Sequence, residues 1–117
     1  MKKVLFLVRS APYGSAAIPE SVRACLGFGT MPLEVSYVLA DDATWALLPD
    51  QQPEPIAGND ALALIRNLAD LGVSLYVDEA ALAARGLSVA GHGPEFTPLS
   101  PERIADLVAG ADAVLTY

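Results

Sequence analysis

Short apolar runs alternate with amphipathic stretches along the chain. Four largely apolar runs are bounded by charged or turn residues, at residues 4–8, 33–40, 73–77 and 113–117. Runs of this length are typical of strands that are buried on both faces of a parallel sheet. A weaker run at residues 95–97 predicts a fifth, short strand.

The segments between these runs show the periodicity of helices that bury one face. In the first segment, Ile18, Val22, Cys25 and Leu26 fall on one helical face. The other predicted stripes are Leu64, Ile65, Leu68 and Leu71 in a second helix, and Ile104, Leu107 and Val108 in the last. We therefore expect helices between the strands, each packed on the sheet by its apolar stripe.

Capping residues indicate where the helices begin and end. Side chains that accept hydrogen bonds from the free amides of a helix N-terminus are Ser15, Asn59, Asp78 and Ser100. Pro101 suits the first position of the last helix. Glycine ends helices readily because it adopts positive φ. The expected ends are Gly72, Gly86 and Gly110.

Strands that alternate with helices imply βαβ units and a parallel sheet. We expect one α/β domain over residues 1–117, with a mostly parallel sheet of about five strands and helices on both faces, layered as in flavodoxin. The proline-rich segment 49–55 and the glycine-rich segment 91–94 predict surface loops.

Charge and cysteine content narrow the class of function. The net charge is −7 over 117 residues, and the few basic residues are scattered, so no direct nucleic-acid binding is expected. No run approaches the length of a membrane span, and the apolar start is too short for a signal peptide. With a single cysteine no disulfide can form within the chain. The sequence predicts a cytoplasmic protein.

Ligands of open α/β sheets bind beyond the carboxyl ends of the strands. The segment after the first strand offers Ser10, Tyr13 and Gly14 there. Since it leads into a helix N-terminus, this segment either holds an anion or forms an ordinary turn. These three residues are candidates for a ligand site or an interface.

A second candidate group follows the second strand. Asp41 and Asp42 either contact a ligand, with a metal or acid–base chemistry as the possible roles, or form a cap and a turn. Because adjacent side chains of a strand point to opposite faces, the two carboxylates converge only if the chain turns there. We expect no bound metal and no cofactor. Trp45 is either an interface anchor or a residue that packs a short helix onto the sheet.

Cys25 and His92 are the remaining reactive side chains. Cys25 lies in mid-helix on an apolar stripe, an environment that raises the pKa of a thiol. We expect a buried structural cysteine, with a catalytic one as the alternative. His92 lies between glycines and is either an exposed loop residue, a proton donor or a contact to a partner. No catalytic residue is assigned.

An ordered set of motifs runs through nearly the whole chain. It consists of Ala11-Pro12-Tyr13-Gly14, then Leu39-Ala40-Asp41-Asp42 leading into Trp45, Leu47, Leu48 and Gln51, then Tyr76-Val77-Asp78 before Leu82, Arg85, Gly86 and Leu87, and finally Asp112-Ala113-Val114-Leu115. The set resembles the DsrE/DsrF/DsrH superfamily and, within it, the DsrF/TusC branch.

The resemblance implies a small parallel α/β fold and assembly into rings or hexamers. Heteromeric complexes of this superfamily take part in tRNA 2-thiouridine synthesis or sulfur oxidation, with a persulfide carried on a cysteine of the DsrE/TusD subunit. The corresponding position in this sequence is Asp78, so the relay role does not carry over to Cys25.

The function that this resemblance implies is that of a non-catalytic subunit of a sulfur-relay complex. Its expected partners are DsrE/TusD-like and DsrH/TusB-like paralogues or the chain itself, in a trimer or hexamer. The alternatives are a sulfurtransferase that uses Cys25 and a homo-oligomer that binds a small ligand.

Overall fold

Five strands and four α-helices alternate in the computed structural model, which describes residues 2–29, 31–47, 61–87 and 96–117. The strands are β1 (Lys2–Val8), β2 (Leu33–Leu39), β3 (Ser74–Asp78), β4 (Phe96–Leu99) and β5 (Ala113–Thr116). The helices are α1 (Ala17–Phe28), α2 (Ala61–Ala69), α3 (Glu79–Ala84) and α4 (Pro101–Gly110), with a 3-10 helix at Asp41–Leu47. The predicted strands are confirmed, with β3 beginning and ending one residue later than expected and β4 covering residues 96–99 rather than 95–97.

The strands form one sheet in the order β4-β3-β2-β1-β5, and every pair is parallel. From β1 to β4, each new strand is therefore added at the same edge of the sheet. The chain then crosses back and places β5 on the other side of β1. This confirms the predicted parallel five-stranded sheet.

Helices cover both faces of the sheet, but unequally. Crossovers between parallel strands are right-handed, so α1, α2 and α3 lie on one face, here called the front face, and α4 lies on the back face. The front core contains Ile18 and Val22 of α1, Ile65 of α2 and Leu82 of α3. The back core is a smaller cluster of Leu5, Val38, Leu99 and Ile104.

The helix boundaries follow the predicted caps at two positions. The Asp78 carboxylate accepts hydrogen bonds from the amides of Ala80 and Ala81, and the Ser100 hydroxyl accepts one from the Arg103 amide. Gly72 and Gly86 have positive φ after α2 and α3, as expected. Asn59 and the segments 49–55 and 91–94 lie outside the described residues.

One predicted boundary is wrong. The N-cap of α1 is Ala16, not Ser15. The Ser15 hydroxyl still accepts a bond from the Ala17 amide at 3.3 Å, because it closes a short turn just before the helix. Gly110 is the last residue of α4, as expected, and the Ala111 amide that follows it donates to the Val108 carbonyl. None of the helices in the described ranges has the length and apolar character that crossing a membrane requires.

Candidate functional site

The loop after β1 lies at the carboxyl end of the sheet and is held there by its own side chains. The Tyr13 hydroxyl accepts a long hydrogen bond of 3.4 Å from the Ala61 amide at the start of α2. The Ser15 hydroxyl donates to the Ala11 carbonyl at 3.0 Å. Gly14 has a φ of 82°, a conformation that a side chain would strain. Ser10 is half-buried in this loop.

The chain turns sharply at Asp41, where β2 ends. Asp41 has a φ of 48°, which aspartate tolerates better than most residues. Its carbonyl accepts a 2.7 Å bond from the Thr44 hydroxyl, which closes the first turn of the 3-10 helix. The predicted turn is therefore present, and it sets the direction of both aspartate side chains.

Each aspartate is paired with a different arginine. Arg9 Nε lies 2.6 Å from Asp41 Oδ2, and Arg85 Nη2 lies 2.9 Å from Asp42 Oδ1. Arg85 also donates to the Ala81 carbonyl, which fixes its guanidinium against α3. The two carboxylates thus serve separate ion pairs instead of sharing one ligand. The pairs tie the ends of β1, β2 and α3 together.

Trp45 projects from the 3-10 helix while its neighbours face inward. Ala43, Thr44, Ala46 and Leu47 are buried, whereas Trp45 is 37% exposed. The buried neighbours pack the helix onto the sheet, and part of the indole lies at the surface. The role of Trp45 as an interface anchor stays a prediction.

Asp78 stands at the carboxyl end of β3, where the resemblance places the sulfur-carrying cysteine of another subunit. Its carboxylate is used to cap α3, at 2.9 Å from the Ala80 amide and 3.3 Å from the Ala81 amide. The side chain at this position therefore supplies a negative charge and a helix cap, neither of which can carry sulfur.

Cys25 is fully buried in the front core, which confirms its predicted burial. Burial raises the pKa of the Cys25 thiol to about 11, so the thiol is protonated at neutral pH. Cys25 lies in the last third of α1, about 12 Å along the helix axis from its first residue. Since α1 starts at the carboxyl end of the sheet, the thiol is far from the aspartates.

A buried polar pair lies beside this thiol. The Ser21 hydroxyl donates to the Ile18 carbonyl at 2.9 Å, and its oxygen lies 2.7 Å from the Tyr37 hydroxyl. Since Ser21 has one hydroxyl hydrogen, Tyr37 donates to Ser21. Burial raises the pKa of Tyr37 above its ordinary value. The buried side chains of Cys25, Ser21 and Tyr37 are therefore uncharged at neutral pH.

The sequence predicts that the candidate residues lie at one end of the sheet, but it does not predict the arginines that pair with the two aspartates. Arg9 and Arg85 are 32 and 43 residues from the aspartates that they bind, and no spacing signals such a pairing. Within the described ranges, no three metal-ligating side chains cluster together. His92 lies outside those ranges.

Comparison with known proteins agrees with the fold. The family model described as DsrE/DsrF-like matches residues 2–117. The crystal structure of the ychN protein from E. coli superposes with a TM-score of 0.86 at 25% identity, over 100% of both chains. A conserved protein of unknown function from Bacteroides thetaiotaomicron shares the fold, with a TM-score of 0.72 and 9% identity over 97% of this chain and 94% of that chain.

The family match spans nearly the whole chain, and the sheet, the helices and the carboxyl-end residues all lie within it. The chain therefore belongs to the DsrE/DsrF-like family and is a member of the sulfur-relay superfamily.

Proposed function

We propose that this chain is a non-catalytic subunit of a cytoplasmic sulfur-relay complex, of the DsrF/TusC type. In this proposal a DsrE/TusD-like paralogue carries the persulfide, and a DsrH/TusB-like paralogue completes the assembly. The chain contributes surface and stability to the complex and does not itself carry sulfur.

The state of Cys25 is the observation that supports this proposal most directly. A sulfur carrier needs an accessible thiolate, usually stabilised by a helix N-terminus or a nearby cation. Cys25 is the only cysteine of the chain, it has no exposed surface, and burial holds its thiol protonated. No other side chain of this protein can form a persulfide.

The carboxyl end of the sheet has the character of a contact surface. It combines a partly exposed tryptophan with two ion pairs, and interfaces are enriched in tryptophan and arginine. Asp41 and Asp42 keep half or more of their side-chain surface exposed, so they remain available to a basic partner. The residues that the proposal assigns to this contact are Ser10, Tyr13, Gly14, Asp41, Asp42 and Trp45.

The test is a sulfur-transfer assay read by intact mass. The chain is incubated with a cysteine desulfurase and cysteine, alone and together with a DsrE/TusD-like paralogue. We expect the paralogue to gain sulfur atoms while the mass of this chain stays unchanged. Sulfur on Cys25 that passes to an acceptor would instead support the alternative of a Cys25-dependent sulfurtransferase.

Moving the only thiol of the chain to another position tests whether the burial of Cys25 makes it unreactive. In a Cys25→Ala background, Asp78→Cys puts the only thiol at the carboxyl end of β3. We expect this variant to react rapidly with a thiol reagent in the folded state, whereas wild-type Cys25 reacts rapidly only after unfolding. Equal rates for the two folded proteins would contradict the inert role of Cys25.

The assembly half of the proposal is tested by size. Mixed with DsrE/TusD-like and DsrH/TusB-like paralogues, the chain is expected to elute as a trimer or hexamer, and Trp45→Ala is expected to weaken that complex. A chain that remains monomeric with its paralogues present would refute this half while leaving the sulfur assay interpretable.

A further inference from the structure

We draw no further inference here: the strongest candidate, the back-face groove between α4 and strands β2 and β3, is lined by Ser36, Ser74 and Tyr76, but its Lys3 is already paired with Glu34 and nothing among the described residues shows what ligand or partner covers it.

Discussion

The interior around Cys25 and the carboxyl end of the sheet differ in the charge and the exposure of their polar side chains. Inside, a thiol, a serine and a tyrosine are buried, uncharged and hydrogen-bonded within the front core. At the carboxyl end, two aspartates and two arginines are charged and paired across separate elements, and all but Arg85 keep half or more of their side-chain surface exposed. Hydrogen-bonded polar groups in the interior stabilise the fold, and removing one partner of such a bond is costly. Exposed charges contribute little stability and remain available to partners.

The largest loss of stability is expected from a substitution of Ser21 in the interior. Ser21→Ala removes the acceptor of the buried Tyr37 hydroxyl, and an unsatisfied buried hydroxyl costs about 1–3 kcal/mol in the free energy of unfolding. Urea unfolding at neutral pH measures this loss. The double variant Ser21→Ala, Tyr37→Phe should recover part of it, because no hydroxyl is then left unpaired. A double variant that is as unstable as the sum of the single variants would show that the pair is not coupled.

Alkaline pH is expected to lower the free energy of unfolding because Cys25 is buried. The pKa of the thiol is raised from 9.0 to about 11 in the folded state, so the unfolded chain ionises first. The stability that the neutral thiol contributes is complete below pH 9 and is lost as the pH rises towards 11. The loss reaches about 1 kcal/mol by pH 10.

Cys25→Ala is the control for this pH dependence. Below pH 9 the variant should be less stable than the wild type by about 1 kcal/mol through lost packing. Because Tyr37 titrates in both proteins, its contribution cancels in the comparison. Unfolding free energies at pH 8 and pH 10 should show the gap between the two proteins closing. A gap of constant size would mean that the thiol does not titrate differently in the folded state.

The helix cap at Asp78 is expected to contribute an intermediate amount. Asp78→Ala leaves the amides of Ala80 and Ala81 without their acceptor, and the loss of such a cap costs about 1 kcal/mol. Asp78→Ser should keep most of the stability, since serine caps helices nearly as well. Thermal or urea unfolding of the three proteins is sufficient. Equal losses for alanine and serine would indicate a role other than capping.

The smallest effect on stability is expected at the exposed ion pair. Arg9→Gln should reduce the free energy of unfolding by less than about 1 kcal/mol. The side chains of Arg9 and Asp41 are 59% and 50% exposed, so water screens their attraction. The effect should shrink further in high salt. A salt-independent loss of several kcal/mol would show that the pair belongs to the stabilising interior and not to a surface for partners.

Together these outcomes would sharpen the contrast between the two regions. Changes inside should alter stability and leave assembly intact once the protein is folded. Changes at the aspartates should alter binding to paralogues and leave stability nearly unchanged.

The sequence by itself determined the order and type of the elements. Apolar runs long enough for buried strands gave the parallel sheet, and stripes at helical spacing gave the helices between them. The caps at Asp78 and Ser100 were also readable, because a cap is a local interaction within three residues. The same local logic placed Cys25 in the core from its apolar helical neighbours.

Tertiary structure alone decided which distant residues meet. Arg9 reaches Asp41 and Arg85 reaches Asp42 because parallel strands end at the same side of the sheet, and no local pattern encodes that contact. The position of β5 beside β1, which leaves an uncharged strand at one edge, likewise follows from the final crossover and not from the strand's own four residues. Local spacing fixes elements because their hydrogen bonds join near neighbours, whereas pairing and edges depend on the path of the whole chain.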